Sequence, residues 1–123
     1  MDKNKAITIG IVMVILLVAG GIIYFKNFSG AATQDIPSVE VAKWIGEHSV
    51  LYYQPSCSHC IEQEKLFGEN VEYLTMIDCT QSENQQQCID VGITATPTWI
   101  INGEKYIGVQ SVEKLKELTD YKE

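Results

Sequence analysis

The chain has 123 residues, a formal net charge of −7 and no arginine. Fifteen of its sixteen carboxylates follow an apolar stretch near the N-terminus, where only Lys26, at its end, and Lys43, Lys65, Lys105, Lys114, Lys116 and Lys122 offset them; an acidic surface without clustered cations excludes nucleic acid as a partner and reads as a solvated face. Beside the apolar stretch there is room for one domain of roughly 90 residues, enough to bury a core but small enough to gain from any crosslink.

Residues 1–5 form a short tail carrying Lys3 and Lys5. Ala6 to Phe25 holds no charge and only Thr8 and Tyr24 as polar side chains; about 20 residues at 1.5 Å rise cross roughly 30 Å of hydrocarbon, so residues 6–25 are predicted to be a transmembrane signal-anchor. Lys3, Lys5 and the α-amino group before it, against Lys26 after it, place the N-terminus in the cytoplasm and the rest outside a single-pass cell membrane protein. The competing reading is a signal peptide cleaved near Ser29-Gly30-Ala31-Ala32, which would release a secreted protein. Against it, the apolar run exceeds an ordinary signal-peptide centre, and Lys26 and Phe28 intervene before the small residues. Residues 26–37 are small and polar and read as a linker; residues 38–123 read as the folded domain.

Pro37-Ser38 can open a helix whose apolar residues run through Trp44 and Ile45 to an end near His48, where a histidine suits a helix C-terminus or the surface. Val50 to Tyr53 is short, β-branched and aromatic and predicts a strand, with Tyr52 and Tyr53 pointing to opposite faces. Pro55-Ser56 stops it, and a helix is predicted from Cys57 to Phe67, closed by Gly68. Val71 to Ile77 alternates and predicts a second strand; the polar stretch from Ser82 to Gln87 can cap and start a helix that Gly92 ends. Thr98–Ile101, Asn102-Gly103 and Lys105–Ile107 form a hairpin signal, since Asn-Gly accepts the positive φ of a two-residue turn. Ser111 caps a last amphipathic helix to Leu118. The order βαβαββα, with a helix in front, predicts an α/β domain whose mixed central sheet is covered on both faces. Trp44 and Trp99 fall within regular elements and are expected to pack.

Four cysteines fall as a tight pair, Cys57 and Cys60, and a looser pair, Cys79 and Cys88; an even count in an exported chain favours disulfide chemistry. Cys57-Ser58-His59-Cys60 opens a helix, where unpaired N–H groups and the positive dipole end favour a thiolate on Cys57. Cys57 is the expected nucleophile, Cys60 resolves a mixed disulfide from one turn on, and the His59 imidazole can stabilise the thiolate further. A stabilised thiolate favours the dithiol over the disulfide, which predicts an oxidising centre at roughly −120 to −200 mV rather than near −270 mV. Such exchange requires no cofactor and no metal. The competing arrangement is a zinc site on Cys57, Cys60, Cys79 and Cys88 in a non-catalytic membrane module, but zinc ribbons pair two short knuckles, and eight residues separate Cys79 from Cys88.

Cys57-Ser58-His59-Cys60, Asp78-Cys79, Cys88, the run from Gly92 through Thr96-Pro97 to Gly103, and Tyr106-Ile107-Gly108 closely resemble the thioredoxin-like domains fused to, or acting beside, vitamin K epoxide reductase homologues. The resemblance runs from about Val50 to Leu118 and implies a thioredoxin-like fold and thiol–disulfide oxidoreductase activity. It further implies a cis bond before Pro97 opposite the cysteines, with Thr96 offering its backbone to an extended substrate peptide, and a second disulfide between Cys79 and Cys88. That disulfide either ties a strand to the third helix or exchanges electrons with the first pair. By resemblance the chain passes disulfides to thiols of exported proteins and is reoxidised by a quinone-linked, vitamin K epoxide reductase-like membrane partner; the opposite electron flow, as a reductant or isomerase, is the alternative. Two departures stand out. Ser58 occupies the place where oxidising relatives often carry Pro. Leu51 lies where thioredoxin has a buried carboxylate, so protons reach Cys60 through water or another group such as Glu62 or Glu64.

Overall fold

A computed structural model describes the backbone of residues 2–28 and 35–123 and the side chains of residues 2–22 and 35–123. The chain divides into two compact units, Met1–Thr33 and Gln34–Glu123. In the first, helix α1 covers Lys3–Phe28, and its stretch Lys3–Ile22 is long and apolar enough to cross a bilayer, a description that a signal sequence also fits. The small-residue site at Ser29-Gly30-Ala31-Ala32 and residues 29–34 of the expected linker lie outside the described residues.

In the second unit, helix α2 runs Val39–His48, with the Ser38 hydroxyl accepting the Val41 N–H at 3.3 Å. Strand β1 (Ser49–Tyr53) leads through a turn into helix α3 (Ser58–Lys65), then strand β2 (Met76–Asp78) and helix α4 (Ser82–Asp90). Strands β3 (Thr98–Ile101) and β4 (Glu104–Ile107) form the hairpin, and helix α5 (Val112–Leu118) closes the chain, capped by the Ser111 hydroxyl. The sheet order is β2-β1-β3-β4; β1 and β2 are parallel, the other pairs antiparallel. This is the mixed α/β sheet that the order of elements predicts, in the thioredoxin-like arrangement that the resemblance implies. Asn102 and Gly103 both take positive φ, 51° and 80°, the backbone of a tight hairpin turn.

Strand alternation divides the side chains between two layers. Leu51, Trp99 and Ile101 join Ala42, Ile45, Phe67, Leu74 and Leu115 in one buried cluster. Tyr52 faces the other way, and its hydroxyl accepts from the Gln87 amide of α4 at 3.3 Å. Tyr53 packs against the edge of the main cluster. Trp99 is fully buried, and Trp44 donates its indole N–H to the Thr119 carbonyl while stacking on His48, whose Nδ1 lies 2.8 Å from the Trp44 carbonyl. Both tryptophans therefore pack, and His48 closes α2.

One element departs from expectation. Val71 to Tyr73 is not strand but the end of a 3-10 helix, Gly68–Tyr73, and β2 begins only at Met76. The reason is tertiary. Gly68 at φ 54° turns the chain out of α3, the Asn70 amide donates to the Pro37 carbonyl at 2.8 Å, and the Tyr73 carbonyl sits where a side chain on Gly46 would be. Thr75 then donates its hydroxyl to the Gly46 carbonyl at 2.6 Å. Alternation of Val71, Tyr73 and Thr75 mimicked a strand, but packing under α2 took precedence.

Candidate active site

Cys57 is the N-cap of α3: its backbone is extended (φ −82°, ψ 119°), and its sulfur accepts the Cys60 N–H at 3.3 Å. The local cause is the Pro55-Ser56 turn, in which the Cys57 N–H donates to the Gln54 carbonyl at 3.2 Å, while the Ile61 N–H bonds the Cys57 carbonyl at 3.1 Å to start the helix. Cys57 is half-exposed, and Cys60 is completely buried. Both are free thiols.

Opposite them the Thr96–Pro97 peptide bond is cis. The Cys57 thiol points at the Thr96 carbonyl, 3.4 Å away, so the loop before β3 and the start of α3 meet at the reactive sulfur. The Pro97 carbonyl accepts the Gly108 N–H at 2.8 Å, which ties this loop to the end of β4.

The two thiols titrate in opposite directions. Partial desolvation pushes Cys57 up, but hydrogen bonds with the Cys60 and Thr96 side chains and from the Cys60 and His59 main chain outweigh it and hold Cys57 below the ordinary thiol value. Burial, reinforced by the hydrogen bond to Cys57, pushes Cys60 up, against smaller lowering by the Gln54 main chain and Thr96. One sulfur is thus prepared as an anion and the other holds its proton, an asymmetry suited to attack by one and resolution by its neighbour.

His59 contributes its main chain rather than its ring. The imidazole is 71% exposed, with Nδ1 3.4 Å from a Glu62 carboxylate oxygen, an ion pair of little energetic weight at such exposure. Glu62 is thereby occupied at the surface. Burial raises the Tyr53 hydroxyl pKa, and Asp78, Glu64 and Cys60 add to the effect in that order, so these three groups share the neighbourhood of the Tyr53 hydroxyl. Leu51 is fully buried in the core. Cys79 and Cys88 are bonded to each other, joining the end of β2 to α4, which removes them from any four-cysteine ligand set.

Sequence reasoning missed Gln63. It is fully buried one turn beyond Cys60; its Oε1 accepts from the Trp99 indole at 3.0 Å and from the Gln110 N–H at 2.6 Å, and its Nε2 donates to the Gln110 carbonyl at 3.0 Å. One amide therefore joins the cysteine helix to β3 and to the loop before α5. Its only sequence signal was its position, three residues after Cys60 on the same helix face.

No family model matches the chain. Among curated proteins, it is 33% identical over 72 residues to "Thiol-disulfide oxidoreductase LTO1" of Arabidopsis thaliana, a match covering 53% of this chain and 19% of that protein. It is 30% identical over 104 residues to "Thioredoxin domain-containing protein 5 homolog" of Drosophila melanogaster, covering 74% and 25%. The chain thus spans a quarter or less of the length of these two relatives. Against "Thioredoxin" of Methanocaldococcus jannaschii it is 32% identical over 77 residues, 54% of this chain but 85% of the relative. With a relative covered almost end to end, and a Cys-x-x-Cys helix start facing a cis-proline loop on a mixed sheet, the chain belongs to the thioredoxin family of thiol–disulfide oxidoreductases.

Proposed function

We propose that this oxidoreductase is a membrane-tethered disulfide donor to exported proteins. Cys57 is the exchanging sulfur, Cys60 resolves, and the His59 main chain helps hold the Cys57 anion. The Thr96-Pro97 loop is the template along which an extended substrate pairs, and the Cys79–Cys88 bond ties down the far end of β2. In the donating direction a substrate thiolate attacks Cys57 Sγ of the Cys57–Cys60 disulfide and Cys60 leaves. A second substrate thiolate then attacks the substrate sulfur of the mixed disulfide and releases Cys57, so the substrate gains a disulfide and the enzyme ends as the dithiol. A vitamin K epoxide reductase-like, quinone-linked membrane protein returns the pair to the disulfide. Residues 6–25 are the anchor, the tail 1–5 is cytoplasmic, residues 26–37 tether, and residues 38–123 work outside the membrane.

The observation that carries the donor reading is the lowered Cys57 thiol, because stabilising its thiolate shifts the pair toward the dithiol and makes the disulfide a stronger oxidant than an unperturbed pair. A redox titration of the full chain tests it. The expected midpoint is roughly −120 to −200 mV, and a value at or below about −270 mV would defeat the donor reading. That result would support a second reading, reduction or isomerisation of extracytoplasmic disulfides, which the similarity to a protein named thioredoxin favours. A Cys60→Ala chain should accumulate covalent partners through Cys57 in either case.

A further inference from the structure

Gln54, the Cys79–Cys88 disulfide and the run from Ile93 to Thr96 line a pocket of about 200 Å3. It adjoins the reactive thiol from two sides. The Gln54 carbonyl accepts the Cys57 N–H at 3.2 Å, and the Thr96 carbonyl stands 3.4 Å from the Cys57 sulfur. No charged residue is part of its lining. The charges closest in sequence to its walls, Asp78 and Asp90, are already engaged, as is Lys105, which reaches the residue before Ile93. The Asp78 carboxylate accepts from the Thr80 N–H and hydroxyl and from the Gln81 amide, the Asp90 carboxylate accepts from the Gln86 amide at 2.8 Å, and the Lys105 ammonium donates to the Gly92 carbonyl at 3.0 Å. The walls therefore consist of neutral groups: an amide, hydroxyls, aliphatic carbons and a polarizable disulfide.

Among the described residues the Thr96 N–H makes no hydrogen bond, which leaves it open to a peptide main chain. A peptide extended along Thr96, with its cysteine over Cys57, advances about 3.3 Å per residue and alternates its side chains. A side chain one or two residues from that cysteine therefore falls at the mouth of the pocket. A charged one would give up water for neutral walls without a counter-charge, whereas an aliphatic or amide side chain loses nothing comparable.

We infer that this pocket is a specificity subsite that takes an uncharged side chain, aliphatic or amide, within two residues of the substrate cysteine. The inference rests on the exchange mechanism proposed above, with Thr96 as the peptide template. In the half-reaction concerned the peptide thiolate attacks Cys57 Sγ of the Cys57–Cys60 disulfide. The peptide–Cys57 bond forms, the Cys57–Cys60 bond breaks, and Cys60 leaves as a thiolate that takes up a proton; the two electrons gained by the enzyme pair come from the peptide sulfur and its eventual partner thiol.

The test uses the full chain in detergent micelles, oxidised at Cys57–Cys60, against single-cysteine peptides. Each peptide carries Leu, Gln, Glu or Arg at one of the two positions on either side of its cysteine, and the readout is the rate of mixed-disulfide formation. At one position Leu and Gln peptides are expected to react about tenfold or more faster than both Glu and Arg peptides. The preference should persist in about 0.5 M salt, where long-range attraction to the acidic surface is screened. Thr94→Lys, at an exposed wall residue, should turn the order toward Glu. Equal rates at all four positions, a preference for Arg that vanishes in salt, or an unchanged order in Thr94→Lys would each overturn the subsite. Exchange with 2-mercaptoethanol separates the two levels of failure. A chain inert to this small thiol overturns the exchange mechanism and the subsite with it, while brisk exchange combined with indifference to flanking charge overturns the subsite alone.

Discussion

Gln63→Met should destabilise the domain far more than a change of similar volume ordinarily does. The substitution keeps the bulk of the side chain but removes three hydrogen bonds, leaving the fully buried Trp99 indole N–H and the Gln110 N–H without partners. A buried donor left unsatisfied costs about 1–3 kcal/mol, so the pair implies a loss of about 2–6 kcal/mol. That is a large share of the roughly 5–15 kcal/mol that holds a domain together. At about 4–8 °C per kcal/mol for a domain of this size, the midpoint of thermal unfolding should fall by about 8 °C or more. Urea unfolding followed by tryptophan fluorescence measures the loss directly. Gln63→Glu sharpens the test, because it keeps both acceptor contacts and loses only the donor to the Gln110 carbonyl. A carboxyl buried there, without a cation, has its folded pKa raised above the unfolded value of about 4.3. The stability it contributes is then present below that unfolded value and lost as pH rises through the folded one. The variant should therefore gain on acidification relative to wild type. A Gln63→Met domain within about 0.5 kcal/mol of wild type would show that the amide is not what joins α3 to β3, and the reasoning would fail.

Two further outcomes follow from the same geometry. Iodoacetamide should alkylate Cys57 of the reduced chain with a pH midpoint below the ordinary thiol value while Cys60 stays unreactive to well above it; because the Cys57 pKa is depressed, its reactivity and its contribution to stability of the reduced form are present above the unfolded value and lost as pH falls through the folded one, and a single titration at the ordinary value would contradict this. Gly46→Ala would set a Cβ against the Tyr73 carbonyl oxygen and 3.1 Å from the Leu74 Cα, main-chain atoms that cannot swing aside, so urea unfolding should show a loss of about 2 kcal/mol or more despite the roughly 1 kcal/mol helix-propensity advantage of alanine; unchanged or increased stability would refute the close approach.

What could be read from the residues themselves was local. The Ser38 and Ser111 caps, the Asn102-Gly103 turn and the stop at Pro55-Ser56 are decided within a few residues, and they place the helices and the hairpin within a residue or two of where they lie. The same is true of Cys57 at the start of α3, because the spacing to Cys60 and the turn before it put both sulfurs on one helical end. Tertiary structure decided the rest. Alternation across residues 71–77 could not reveal that the Tyr73 carbonyl rests on a bare Gly46, because that contact joins residues far apart in the chain. Nor could the motif show that the His59 ring turns out to Glu62 while its main chain serves the sulfur. Sequence determined which atoms are able to carry the chemistry, since nucleophilicity and turn preference belong to residue types. Burial and contact across the fold decided which sulfur gives up its proton and that Gln63 ties α3 to β3, because desolvation and hydrogen-bond geometry exist only once distant segments are packed together.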